Sequence, residues 1–86
     1  MYTILFKKSA KKEYERLPHS VQSKILEALH LLSHHPYSEL LQIKKLKGTD
    51  SVYRFRVGDY RVLYEVLNDR LVIVVIKIGH RSEVYR

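Results

Sequence analysis

Tyr53-Arg-Phe-Arg-Val-Gly-Asp-Tyr-Arg-Val-Leu-Tyr-Glu65 is the stretch from which the fold can be read. Two alternating runs flank Gly58-Asp59, and a two-residue connection opening with glycine is a strong hairpin signal, because glycine accepts the positive φ of a tight primed turn. Alternation then assigns the faces. Tyr53, Phe55 and Val57 share one side of their strand, and Arg54 and Arg56 share the other. With Val57 and Tyr60 flanking the turn, Arg56 falls directly across the ladder from Arg61. Like charges in a cross-strand pair are unfavourable, and Arg54 adds a third cation to the same face. Charged residues opposite a core face are common and often merely solvated. Here Asp59 and Glu65 are the only carboxylates between Tyr53 and Leu67, which points to a polyanion as the missing counter-charge. Arg61 reads as a surface position.

Outward from the hairpin, Asn68-Asp69-Arg70 turns the chain, and Leu71 to Ile78 is a nearly continuous apolar run suited to a central strand. A three-residue turn would put Lys77 beside Arg61; a two-residue turn would swap the parity. Upstream, Gly48 to Ser51 is a loop and Ile43 to Lys47 is ambiguous. Val21, Ile25, Ala28, Leu29 and Leu32 recur at helical spacing, with Leu26 and Leu31 widening the stripe. That helix starts near Pro18 or His19 and stops before Pro36. A shorter helix spans Ala10 to Arg16, with Ser9 as its expected cap. Tyr2 to Phe6 is β-prone. The expected architecture is α+β: an N-terminal strand and a helical hairpin packed on one face of a small, mainly antiparallel sheet of about four strands. Phe55, Val62 and Tyr64 should meet the helices.

The chain has 86 residues, enough for a single domain covering 1–86 with one modest core. It has no cysteine, which removes disulfides and thiolate metal sites. No apolar run approaches the length of a membrane helix, and no signal-peptide layout opens the sequence; a cytoplasmic location without membrane contact is expected. Sixteen Lys and Arg against nine Asp and Glu give a net charge of +7, which favours nucleic acid or an acidic partner. Seven tyrosines can stack on bases or fill the core.

There is no phosphate-binding glycine loop and no zinc or magnesium ligand pattern. His30 and His34 have i, i+4 spacing but no third ligand in sight, and read as a helix surface; no metal is expected. Lys7, Lys8, Lys11 and Lys12 read as a solvated helix edge. The remaining constellation is Arg54, Arg56 and Arg61 on the sheet, with His80, Arg81 and Tyr85 just beyond the last strand. Arginines can hold a phosphate bidentately and stabilise developing charge, while a histidine or tyrosine can move protons. RNA brings its own nucleophile, the 2′-OH, so this set suits metal-independent phosphodiester cleavage.

The hairpin, together with Val75-Ile-Lys-Ile-Gly-His-Arg-Ser-Glu-Val-Tyr-Arg86, closely resembles the RelE branch of the RelE/ParE toxin superfamily. Leu46-Lys47-Gly48 and Leu17-Pro18 also fit, and the resemblance covers essentially the whole chain. It implies the RelE-like fold and a toxin of a bacterial or archaeal toxin–antitoxin pair. Such a toxin enters the ribosomal A site and cuts mRNA without cofactor or metal, leaving a 2′,3′-cyclic phosphate and a 5′-hydroxyl. It implies a cognate antitoxin as partner, a monomeric free toxin, and ribosome and mRNA as targets. By position, Arg61 and Arg81 match the phosphate-stabilising arginines, Arg81 also serving the leaving group. Tyr85 matches the catalytic or base-orienting tyrosine. Lys47, Arg54, Arg56 and Lys77 are expected to hold RNA phosphates.

Two departures matter. Arg54 and Arg56 stand where the best-studied relatives have lysine, and arginine cannot give up its proton as a base. Proton removal then falls to Tyr85 or His80, of which His80 is chemically the better base near neutral pH. Many relatives also add a C-terminal helix, whereas this sequence stops one residue past Tyr85, so Tyr85 is expected to be ordered by substrate or partner. Other classes compatible with the fold are a ParE-like inhibitor that binds DNA gyrase and a catalytically weak ribosome-binding toxin; the retained Arg61, Arg81 and Tyr85 favour the nuclease.

Overall fold

A computed structural model describes residues 1–46, 48 and 51–80. The elements run β1 (Thr3–Phe6), α1 (Lys8–Glu15), α2 (His19–His34), a short 3-10 helix (Glu39–Leu41), β2 (Lys44–Lys45), β3 (Val52–Val57), β4 (Tyr60–Leu67) and β5 (Val72–His80). Five strands form one sheet in the order β1-β5-β4-β3-β2, one more than the sequence suggests. The extra strand is β2, too short to carry an alternation of its own. It pairs Lys44 with Arg54 and Lys45 with Tyr53. Among the described residues only the β1–β5 pairing is parallel.

The central hairpin forms as its pattern dictates. Val57 pairs with Tyr60, Arg56 with Arg61 and Phe55 with Val62. Gly58 turns the chain at φ +58, a conformation that costs glycine nothing and a residue with a Cβ about 1 kcal/mol or more. Phe55, Val62 and Tyr64 are fully buried, together with Ile25, Leu29 and Leu32 of α2 and Ile73, Val75 and Ile78 of β5. Leu26 lies on the outer flank of α2 and is half exposed.

Ser9 is not the cap of α1. Lys7 is extended and still donates its N–H to the Val75 carbonyl at 2.9 Å, as the end of β1. Its own carbonyl then accepts from Lys11 N, also at 2.9 Å, so the helix begins immediately and Ser9 falls in its first turn. The attachment to β5 supplies the order that a side-chain cap would otherwise provide.

The turn between β4 and β5 is Asn68–Leu71, four residues, with Leu71 at φ 53. That length alone would flip the faces of β5. A β-bulge restores them: Tyr64 pairs with Val75, whereas Leu63 pairs with Lys77, leaving Ile76 as the extra residue. Val75 and Ile78 both reach the core as a result, and Lys77 stays on the side of Leu63 and Arg61, two residues along the ladder from the position a three-residue turn would give.

Tyr37, Tyr53 and Tyr64 form one structural cluster. Tyr64 stacks on Tyr53 at 5.9 Å, Tyr53 meets Tyr37 edge-on at 5.3 Å, and the Tyr64 hydroxyl donates to the Pro36 carbonyl at 3.0 Å. Burial, with the neighbouring phenols, raises the Tyr64 pKa well above the ordinary phenol value near 10. A raised acid stabilises the fold below the unfolded-state pKa, and this stabilisation is lost as pH rises past it. Tyr64→Phe is expected to cost about 1 kcal/mol at pH 7, the net worth of one hydrogen bond. The gap to the parent should narrow above pH 10, where the unfolded parent gains an ionised phenolate that the variant lacks. Urea unfolding at pH 7 and pH 10.5 measures both; equal gaps at the two pH values would contradict the burial of the hydroxyl.

Candidate phosphate-binding face and the cleft behind it

The face of the sheet away from the helices carries two cross-strand rows. One runs Lys44, Arg54, Leu63, Lys77 across β2, β3, β4 and β5; the next runs Arg56, Arg61, Gly79. Among the described residues five cations therefore share one face over a few ladder steps, with directly paired residues roughly 5 Å apart at Cβ. Arg56 is exposed and Arg54 half-buried. Arg61 is not the surface residue its position suggests: only 8% of it is accessible. Its stem lies in the middle strand between Arg56 and Gly79. Confinement suits a guanidinium that must meet an oxyanion in one geometry, since little rotamer freedom remains to be lost on binding.

Lys77 faces the same way but is already engaged. Its ammonium pairs with Glu13 at 3.3 Å, and the second Glu13 oxygen accepts from Ile78 N at 3.0 Å. β1 ends its pairing at Phe6 and Val75, so Glu13 of α1 satisfies a β5 donor just past the end of β1. Lys77 thus contributes less free charge to the face than its sequence position implies. Lys44 is the residue that sequence reasoning misses. It joins Arg54 only through a two-residue edge strand, and Lys47, the lysine singled out instead, lies outside the described residues.

His80 does not join the arginines. It pairs with Tyr60, while Arg61 pairs with Gly79. Successive residues alternate sides, so His80 and Tyr60 stand on the helix side and Arg61 on the other. The two rings meet edge-on at 5.7 Å and 80°. They line a cleft of about 340 Å³ with Glu13, Arg16, Leu17, Ile78 and Gly79. Arg81 and Tyr85, the remaining members of the expected set, also lie outside the described residues. On α2, the exposed His30 and His34 rings meet edge-on at 5.1 Å. No three His, Asp or Glu side chains gather as metal ligands among the described residues. Chemically, the arginine face can grip a phosphate in bidentate fashion and stabilise charge developing on it.

Residues 4–85 match the family model of the ParE toxin of type II toxin–antitoxin systems, parDE. The chain belongs to the RelE/ParE toxin superfamily. Within it the similarity is to RelE proteins. The RelE1 protein of Methanocaldococcus jannaschii is 37% identical over 86 residues, covering 99% of this chain and 96% of its own. The mRNA interferase toxin RelE of Escherichia coli K12 is 30% identical, with 98% and 90% covered. The RelE chain in the archaeal RelE–RelB complex from Pyrococcus horikoshii superposes with a TM-score of 0.83 at 32% identity, over 96% of this chain and 98% of that one. This chain is therefore a RelE-like toxin of the type II class, and its two helices on a five-stranded sheet are the RelE fold. No helix among the described residues is long and apolar enough to cross a membrane.

Proposed function

We propose that this toxin is an endoribonuclease that enters the ribosomal A site and cleaves mRNA by attack of a 2′-OH on the adjacent phosphorus. The observation that carries the reading is the Arg56–Arg61 ladder pair beside Arg54 on the open face. Like charges paired across a ladder are unfavourable in themselves, and a phosphodiester is an anion that such a set can grip in bidentate fashion. The name of the E. coli relative, an mRNA interferase at 30% identity, supports the same chemistry.

Arg61 and Arg81 would hold the scissile phosphate and stabilise the charge growing on its oxygens, with Arg54, Arg56 and Lys44 aligning the flanking strand. The 2′-oxygen bonds to phosphorus, the P–O5′ bond breaks, and a proton passes from the 2′-OH to the protein while another is delivered to the departing 5′-oxygen. Arginines cannot accept the first proton, and His80 faces away from Arg61. Tyr85 is therefore the residue assigned to proton movement. No metal takes part in this scheme. An antitoxin is the proposed partner, supported by the archaeal RelE–RelB complex and by the +7 charge that an acidic or amphipathic segment would offset.

The test runs two assays on one preparation: cleavage of ribosome-bound mRNA with primer-extension readout, and gyrase supercoiling. Cleavage with terminal 2′,3′-cyclic phosphate and unaffected gyrase is expected. Intact mRNA with inhibited gyrase would replace this reading by the ParE-like one.

A further inference from the structure

The cleft behind the sheet is not used by the chemistry above, yet it adjoins it. Tyr60 immediately precedes Arg61 and carries its ring to the opposite side. Gly79 is the ladder partner of Arg61, lines the cleft as well, and has no side chain to stand between the two. Beyond Phe6 and Val75 the β1 strand no longer flanks β5, so this corner of the sheet is a rim that a strand of RNA can cross. The cleft has the make-up of a base receptor. Tyr60 and His80 offer flat rings, Leu17 and Ile78 an apolar wall, and Arg16 an exposed guanidinium. Among the described residues Arg16 makes no ion pair, because Glu13, the carboxylate beside it in the lining, is taken up by Lys77 and the Ile78 N–H. Aromatic rings bind single-stranded bases by stacking, and arginine adds a planar cation to the same platform.

We infer that the cleft formed by Tyr60, His80, Arg16 and Leu17 receives the base of the nucleotide adjoining the phosphate held at Arg61, with the RNA crossing the rim of the sheet at Gly79. The inference rests on the proposed nuclease reading and gives His80 a specificity role in place of a catalytic one.

The experiment titrates isotope-labelled toxin with a fully 2′-O-methylated trinucleotide, which cannot be cut, and follows backbone amide signals. Signals of Leu17, Ile78 and His80 should move together with those of Arg56 and Arg61. Tyr60→Leu keeps apolar bulk without the flat ring. It should weaken binding by roughly 5- to 150-fold, the range for one lost base–aromatic stack. Arg16→Gln, an exposed change with little bearing on folding, should weaken it further. If Arg56 and Arg61 respond while the cleft stays silent, or if Tyr60→Leu binds as tightly as the parent, the cleft assignment is overturned and the nuclease reading stands. A trinucleotide that moves neither set overturns the cleft assignment, while the nuclease reading is decided by the ribosome-dependent cleavage assay.

Discussion

Arg61→Ala is expected to lower ribosome-dependent mRNA cleavage by about 10²–10³-fold, the usual loss when one preorganised charge is removed from a transition state. The size follows from placement. Arg61 sits in the middle strand with 8% of its surface accessible, so on the proposed reading its guanidinium would meet the phosphate already oriented. The same burial means that truncation also removes packing around the stem, and the melting temperature should fall by several degrees. Activity must therefore be read well below that midpoint, with circular dichroism confirming the fold. Arg61→Lys keeps a stem and a charge but not the planar fork, so a large loss there assigns the effect to bidentate geometry. Tyr85→Phe, compared with Tyr85→Ala, separates a hydroxyl that moves protons from a ring that stacks. Parental cleavage by folded Arg61→Ala would remove the arginine face from the mechanism.

Phe55→Ala should have the largest effect on folding, about 3–5 kcal/mol, the cost of an emptied aromatic site in a core. Phe55 is fully buried, and its ring packs against Tyr64 at 5.9 Å. A domain of this size is stable by only about 5–10 kcal/mol, so the variant should be partly unfolded at 37 °C. Phe55→Leu, which keeps much of the volume, should cost under about 2 kcal/mol. Urea midpoints of the two variants measure the difference. A Phe55→Ala midpoint close to the parent's would mean that the hairpin is not the keystone of the core.

The hairpin was legible because glycine, alternation and charge all agree there. Gly58 can adopt only a few turn types next to alternating runs, and those dictate that Arg56 meets Arg61. The stripe on α2 was equally plain, since five apolar residues at helical spacing have no other use. What escaped was decided elsewhere in the chain. β2 exists because it pairs with the second edge of β3 at Tyr53 and Arg54, and two lysines carry no periodic signal of their own. Ser9 was a reasonable cap until the Lys7–Val75 bond made one unnecessary. The face of His80 depends on a four-residue turn and a bulge in combination, and neither is written in local propensity. Arg61 reads as exposed by residue type and is buried by position in the sheet. Membership of the toxin superfamily was legible chiefly through the Gly79-His-Arg-Ser-Glu-Val-Tyr85 segment, a likeness to a family more than a deduction from periodicity.

The bulge at Ile76 makes β5 a crank. Its inner arm, Val72 to Val75, is bolted between β1 and β4. Its outer arm, Lys77 to His80, has left β1 behind and takes its direction from the extra twist that a bulge imparts. Ile76 thus steers Gly79 and His80 although it belongs to neither the arginine face nor the cleft. Removing it would preserve each ladder pair on either side and still swing the arm. Aim and adhesion are consequently adjustable separately in this fold: the core fixes the shaft, and one residue in mid-strand decides where the handle points.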